Sequence, residues 1–285
     1  MHTRMRGRAL HITALLAREY ARHIKKKERK GMARGEGACL VCGKSLVYTE
    51  KAEKLECQMC HQIFESYACC EDGHYVCDSC HEKKGVEVIM EETGKTTSVN
   101  PIEIMQEIME NPYIYMHGPE HHILVGAALL AAYKNAGGKV DSFEDALEEM
   151  RHRGSEYPGG ACGMWGCCGA AVSTGIFMSI ILKATPLTGK SWGRANRMTA
   201  RALEAIGEAG GPRCCKRDSF KAVTEAVNFV EKELGLKMEL PEKICCTFSD
   251  ENAQCLKAQC PYYKNYESTK YGAIRKVSSD PALLQ

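Results

Sequence analysis

Four cysteine pairs fall within residues 39–80, and no other feature restricts the fold of this chain so tightly. They are Cys39-x-x-Cys42, Cys57-x-x-Cys60, Cys69/Cys70 with His74, and Cys77-x-x-Cys80. A Cys-x-x-Cys turn brings two thiolates to one tetrahedral ion, and a structural Zn²⁺ takes four such ligands. Eight ligands predict two Zn²⁺ ions, held by Cys39, Cys42, Cys57, Cys60, Cys70, His74, Cys77 and Cys80. Cys69 is an alternative to Cys70. Spacing leaves the pairing open: crossed (first pair with third, second with fourth) or nested. His61 and His81 directly follow two of the pairs and are expected at the surface or supporting the ligands rather than on the metal. The segment is too short to bury a core, so the metal must supply its folding energy. The expected form is a zinc ribbon or cross-brace with few short strands, at 45–48 and 74–76.

Seventeen cysteines are far more than an ordinary domain of this size carries. A secreted disulfide scaffold would be shorter and would enter through a signal peptide. The N-terminus is basic throughout and has no apolar stretch before a small-residue cleavage site. Metal sites in a reducing, cytoplasmic compartment explain the cysteines better. No run reaches the roughly 18–20 apolar residues that a membrane span needs. The net charge of +2 is unevenly spread: residues 1–34 hold eleven Lys and Arg against Glu19 and Glu28, so the remainder is acidic. That balance argues against a nucleic-acid partner. Within the cysteine module, Phe64, Tyr67 and Tyr75 are not interleaved with a basic stripe, which argues the same way.

The chain divides into a basic leader (1–34), a two-zinc module (35–86) and an all-α domain (98–285), with a polar, turn-rich boundary at 86–99. Helices are expected over 100–110, 119–135, 142–152, 168–184, 194–208 and from 218 or 219 to 234. The signals are Asn-Pro and Ser-x-x-Asp starts and glycine stops. The helix through ILVGAALLAAY is nearly all apolar and is expected at the centre. The fold class is therefore mainly α, with the small zinc module in front.

The remaining cysteines lie in the junctions between these helices. GGACGMWGCCGAAVSTG sets Cys162, Cys167 and Cys168 among small residues that allow close approach of backbone and ligand. Cys214 and Cys215 are flanked by Arg213, Lys216 and Arg217, and cations beside a helix start favour thiolate. The tail supplies Cys245, Cys246, Cys255 and Cys260, and the last is followed by Pro261, a pattern met in cluster-binding sequences. These groups are expected to meet around one shared centre. A [4Fe–4S] cluster on Cys162, Cys214, Cys215, Cys245, Cys246, Cys255 and Cys260, not all of them ligands, competes with zinc. Cys167 and Cys168 are candidate nucleophiles or sulfur acceptors, because thiolates attack and close thiols resolve persulfides. His121 or His122 is a candidate acid/base, with Glu120 a weaker partner. Arg213 and Arg217 are candidate clamps on an anion. No P-loop, dinucleotide-binding glycine fingerprint or CxxxCxxC pattern occurs, so nucleotide-driven and radical chemistry are not expected.

GHYVCDSCH, GPEHHILVGAALLAAY, GGACGMWGCCGAAVSTG, GPRCCKR and CCTFSDENAQCLKAQCP together resemble the family called domain of unknown function 5714, cysteine-rich proteins of anaerobic archaea and bacteria. The resemblance runs from Cys39 to Tyr263 and leaves the leader outside. It implies an oxygen-sensitive centre in the cytoplasm and carries no settled activity. Three functions follow from the residues. The first is an iron–sulfur-dependent enzyme handling sulfur or electrons on a small anionic or sulfur-containing substrate. The second is a non-redox [4Fe–4S] lyase or dehydratase. The third is a non-enzymatic metal-binding maturation, carrier or adaptor protein, with a protein partner on the zinc module. A homo-oligomer is compatible with each.

Overall fold

The computed structural model describes residues 39–264 other than Gly43, so the basic leader expected at 1–34 lies outside the described residues. Two antiparallel strands, β1 (Leu46–Glu56) and β2 (Ile63–Cys70), form a hairpin. Eight helices follow: α1 (Asp78–Lys95), α2 (Pro101–Met109), α3 (His121–Asn135), α4 (Phe143–Ser155), the single turn α5 (Ala161–Met164), α6 (Gly169–Ile181), α7 (Gly189–Ala209) and α8 (Cys215–Leu234). The fold is mainly α-helical with a small N-terminal hairpin region. None of these helices is long and apolar enough to cross a membrane.

α3 is the axis of the body. Its side chains are buried without a break from Ile123 to Tyr133, the pattern of a helix surrounded on all sides. It packs against α1, α2, α4, α6 and α8. Gly126 lets α6 approach closely: its amide donates to the Ser173 hydroxyl at 2.9 Å, and an added Cβ would collide with the Met150 thioether. Local capping explains two starts. The Asn100 side chain accepts the amides of Ile102 and Glu103, with Pro101 in the first turn, and Ser142 accepts the amide of Asp145.

The structure corrects three expectations about local structure. Residues 86–95, read as polar turn, belong to α1, whose Val86 and Ile89 enter the core. The surrounding Glu and Lys residues conceal a narrow stripe with helical spacing. The strands at 46–56 and 63–70 are longer than expected, while 74–76 contributes only an isolated bridge from Tyr75 to Cys57. α8 begins at Cys215 rather than at 218 or 219, because its cap is a cysteine: the Cys214 sulfur takes the Arg217 amide at 3.5 Å.

Candidate metal centres

The eight expected ligands form two compact groups, Cys39, Cys42, Cys70 and His74 in one, Cys57, Cys60, Cys77 and Cys80 in the other. Within each group all ligand atoms lie within 4.8 Å of one another. The order along the chain is interleaved, first pair with third and second with fourth, which is the crossed arrangement. The hairpin enforces it. Leu46 pairs with Cys70 and Glu56 with Ile63, so the chain before β1 and the end of β2 meet at one end. Cys57 and Cys60, just beyond β1, meet the following turn at the other.

The spacing suits a single ion in each group. A tetrahedral ion with bonds of about 2.3 Å to sulfur sets its ligand sulfurs about 3.8 Å apart. Cys42 and Cys70 lie 3.8 Å apart, and so do Cys60 and Cys77. His74 presents Nδ1 to the Cys70 sulfur at 3.4 Å. Each group also contains a thiol prepared for ionisation, as ligation requires. Burial would push Cys57 up, but the amides of Cys77, Cys60 and Met59 outweigh it and bring the thiol to about 6. Cys70 falls to about 7, with the amides of His74 and Asp72 overcoming its burial. Of the adjacent pair on β2, Cys70 is buried and belongs to the group, and Cys69 does not, as alternation along a strand would have it.

The second group is fastened to the body through α1. Cys77 is the cap of that helix and Cys80 lies in its first turn. Asp78 accepts the Gly159 amide at 2.7 Å, at the start of the small-residue loop. His81 packs edge-on to Tyr115 and lies 3.8 Å from the buried Glu120 carboxylate. It supports the ligands' helix, whereas His61 is exposed and pairs with Glu56 at 2.9 Å. On the other side of the module, Arg213 donates to the Tyr48 hydroxyl and lies over its ring.

In the body the cysteines divide into two sets, and the doublet at 214–215 is where they part. Cys214, Cys246, Cys255 and Cys260 line one cavity of about 20 Å³, closed by Phe248 and Tyr262 among others. Cys215 is turned away from it, toward Cys168, and the Cys168 thiol also feels the charge of Cys162. Cys245 is exposed and does not line the cavity. Burial, followed by the charge of Asp218, pushes the Cys168 thiol up to about 12, so the protein does not activate it as a free nucleophile. Cys167 lies beside it on the loop, where its carbonyl accepts the Tyr157 hydroxyl at 2.8 Å.

His121 is buried and donates from Nδ1 to the Gly118 carbonyl at 3.1 Å, with Glu120 3.4 Å away. Burial and the Lys216 charge hold its pKa low. His122 donates from Nδ1 to the Tyr157 carbonyl at 3.1 Å and packs edge-on against the Tyr157 ring. Arg217 is committed internally, to Asp218 at 2.9 Å and to the carbonyls of Gly210 and Pro212. An open groove of about 550 Å³ lies between α6 and α7 and contains none of the cysteines. Sequence reasoning missed Asn252, whose side-chain amide approaches the Cys214 sulfur at 3.6 Å, and Tyr48 as the partner of Arg213. Neither carries a local signal, since both contacts join distant parts of the chain.

The family of unknown function (DUF5714) matches residues 89–263, more than half of the chain, and the chain belongs to it. The match begins within α1, so the hairpin and its two ligand groups lie outside the matched range, which is narrower than the resemblance from Cys39. No curated protein and no solved structure matches the chain.

Proposed function

We propose that this member of a family of unknown function is a metal-binding protein of the maturation, carrier or adaptor kind, with two zinc ions bracing its hairpin as a cross-brace. The observation that carries this reading is the pair of interleaved four-ligand groups with sulfurs 3.8 Å apart. Four protein ligands close each ion's coordination, which is the form of a structural site rather than a catalytic one. Val47, Met59, Ile63 and Tyr67 are exposed on the module, an apolar surface suited to a protein partner. All seventeen cysteines are unpaired, in keeping with a reducing cytoplasm.

The test is metal analysis of the full chain purified without oxygen. Two zinc ions per chain, with loss of the hairpin but not of the helices on strong chelation, is the expected result. A hairpin that keeps its structure without metal would overturn the reading.

A second reading is favoured by one observation, the cavity lined by four cysteines. It is an iron–sulfur-dependent enzyme acting on a small anionic substrate, with the 162–168 loop presenting Cys167 or Cys168 as sulfur acceptor, Arg213 near the anion, and His121 or His122 moving a proton. Transfer of the outer sulfur of a persulfide donor to the iron-loaded protein, with the donor released as its thiol and the transfer abolished in Cys167→Ser, would support it over the carrier reading. A lyase fits less well, because an open iron position calls for three thiols and four line the cavity.

A further inference from the structure

The tail cysteines repeat a backbone device seen at two of the module's cysteines, and also at Cys168, which takes the amide of Ala170. In the module, the Cys39 sulfur accepts the amide two residues on, from Val41, at 3.3 Å, and Cys57 accepts that of Met59 at 3.4 Å. In the body, Cys246 accepts the amide of Phe248 at 3.4 Å and Cys255 that of Lys257 at 3.4 Å. Cys260 receives the amide of Tyr262, again two residues on. Cys214 uses a helix start instead, with the Arg217 amide at 3.5 Å and the Asn252 side chain at 3.6 Å. Burial pushes the Cys214, Cys246 and Cys260 thiols up in spite of these amides, so the bonds serve to orient sulfur for a metal rather than to ionise a free thiol. Four sulfurs around one closed cavity, each with a donor directed at it, form a ligand set.

The width of the set distinguishes it from the module's groups. Among the described residues, no third group of three or more ligand atoms lies within 4.8 Å of one another. In any three of the body's four sulfurs at least one pair therefore stands more than 4.8 Å apart, beyond the edge of about 3.8 Å that one tetrahedral ion imposes. A polynuclear cluster seats its thiolates on separate metal atoms and so holds them further apart. Met116, Phe248, Leu256 and Tyr262 give the cavity an apolar wall, and the Arg217–Asp218 ion pair lies beside it.

We propose that Cys214, Cys246, Cys255 and Cys260 are the four ligands of one [4Fe–4S] cluster. This deepens the metal-binding reading by assigning a third inorganic site, in the helical body. It excludes Cys162, Cys215 and Cys245 from the ligand set, although sequence spacing admits all three.

The full chain is purified without oxygen, then incubated with ferric iron, sulfide and a thiol that reduces part of the iron, and its iron, labile sulfide and zinc are counted. The expected result is about four iron and four sulfide per chain with thiolate-to-iron absorption. Cys246→Ala and Cys255→Ala should each lower iron at least fivefold. Cys245→Ala and Cys162→Ala should leave it unchanged. Zinc content and helical circular dichroism, measured on every variant, show that the chain still folds. Iron that survives Cys246→Ala and Cys255→Ala but is lost in Cys162→Ala would overturn the assignment. No iron, with a third zinc lost in Cys255→Ala, would overturn the cluster while leaving the metal-binding reading standing. Iron bound as expected in a chain whose hairpin holds no zinc would support the cluster and sink the cross-brace.

Discussion

None of the eleven residues of β1 is fully buried, whereas α3 buries every side chain from Ile123 to Tyr133. The hairpin excludes little apolar surface, and at each of its two ends lies a Cys/His group able to hold a metal ion. α3 has no ligand and is held by packing against five other helices. On the proposed reading the chain uses two sources of order, metal and packing, and α1 joins them, with Cys77 and Cys80 at its start and Ile89 in the core. The tail pocket combines both: cysteines aimed at a common cavity, walled by Phe248 and Tyr262 from the apolar body.

The contrast can be broken most severely at a ligand. Cys57→Ala should remove one ion, and a structural zinc contributes about 10–16 kcal/mol in small metal-folded units, more than the stability of most domains. The zinc content should halve and hydrogen exchange across β1 and β2 should lose its protection, while the helices stay protected. Phe177→Ala makes the opposite cut. Phe177 is fully buried against Tyr133, with ring centroids 5.8 Å apart, and its loss should cost about 3–5 kcal/mol. The midpoint of urea unfolding should fall with no change in zinc content.

A smaller effect, confined to the body, should follow pH. Burial holds His117 at about 4, helped by the neighbouring charges of Arg213, His121 and Lys216. The unfolded chain therefore takes up a proton below about 6.5 that the folded chain refuses until about 4. Stability should be full above that window and decline by up to about 3 kcal/mol as pH falls through it. His117→Gln should flatten this part of the urea-midpoint profile. The smallest effect belongs to Cys69→Ser, on the outer side of β2, where a change within about 0.5 kcal/mol and unaltered zinc content are expected. The same substitution at Cys70 should behave like the loss of Cys57.

Local signals were legible and distant ones were not. The Cys-x-x-Cys turns name their ligands because both thiols lie within one turn, and α3 was readable from an apolar run between Gly118-Pro119 and the glycines at 137 and 138. The pairing of the ligand groups was not readable, because it depends on how the hairpin closes. Alternation implies that Cys69 and Cys70 face opposite ways but not which one faces the metal. α1 was missed because Glu and Lys outnumber its few buried positions, Val86, Ile89 and Thr93. The expectation of one shared centre left open which cysteine of each doublet would join it. In the structure Cys214 joins the tail and Cys215 the small-residue loop, a division set by the first turn of α8.

The central claim, that two closed thiolate-rich ions organise the hairpin, is tested most directly by zinc-edge X-ray absorption on the full chain. Seven cysteines and one histidine shared by two ions predict four-coordinate zinc with a dominant sulfur shell at about 2.3 Å and a minor nitrogen shell at about 2.0 Å. A six-coordinate, oxygen-dominated shell, or a folded hairpin with no zinc signal, would contradict it.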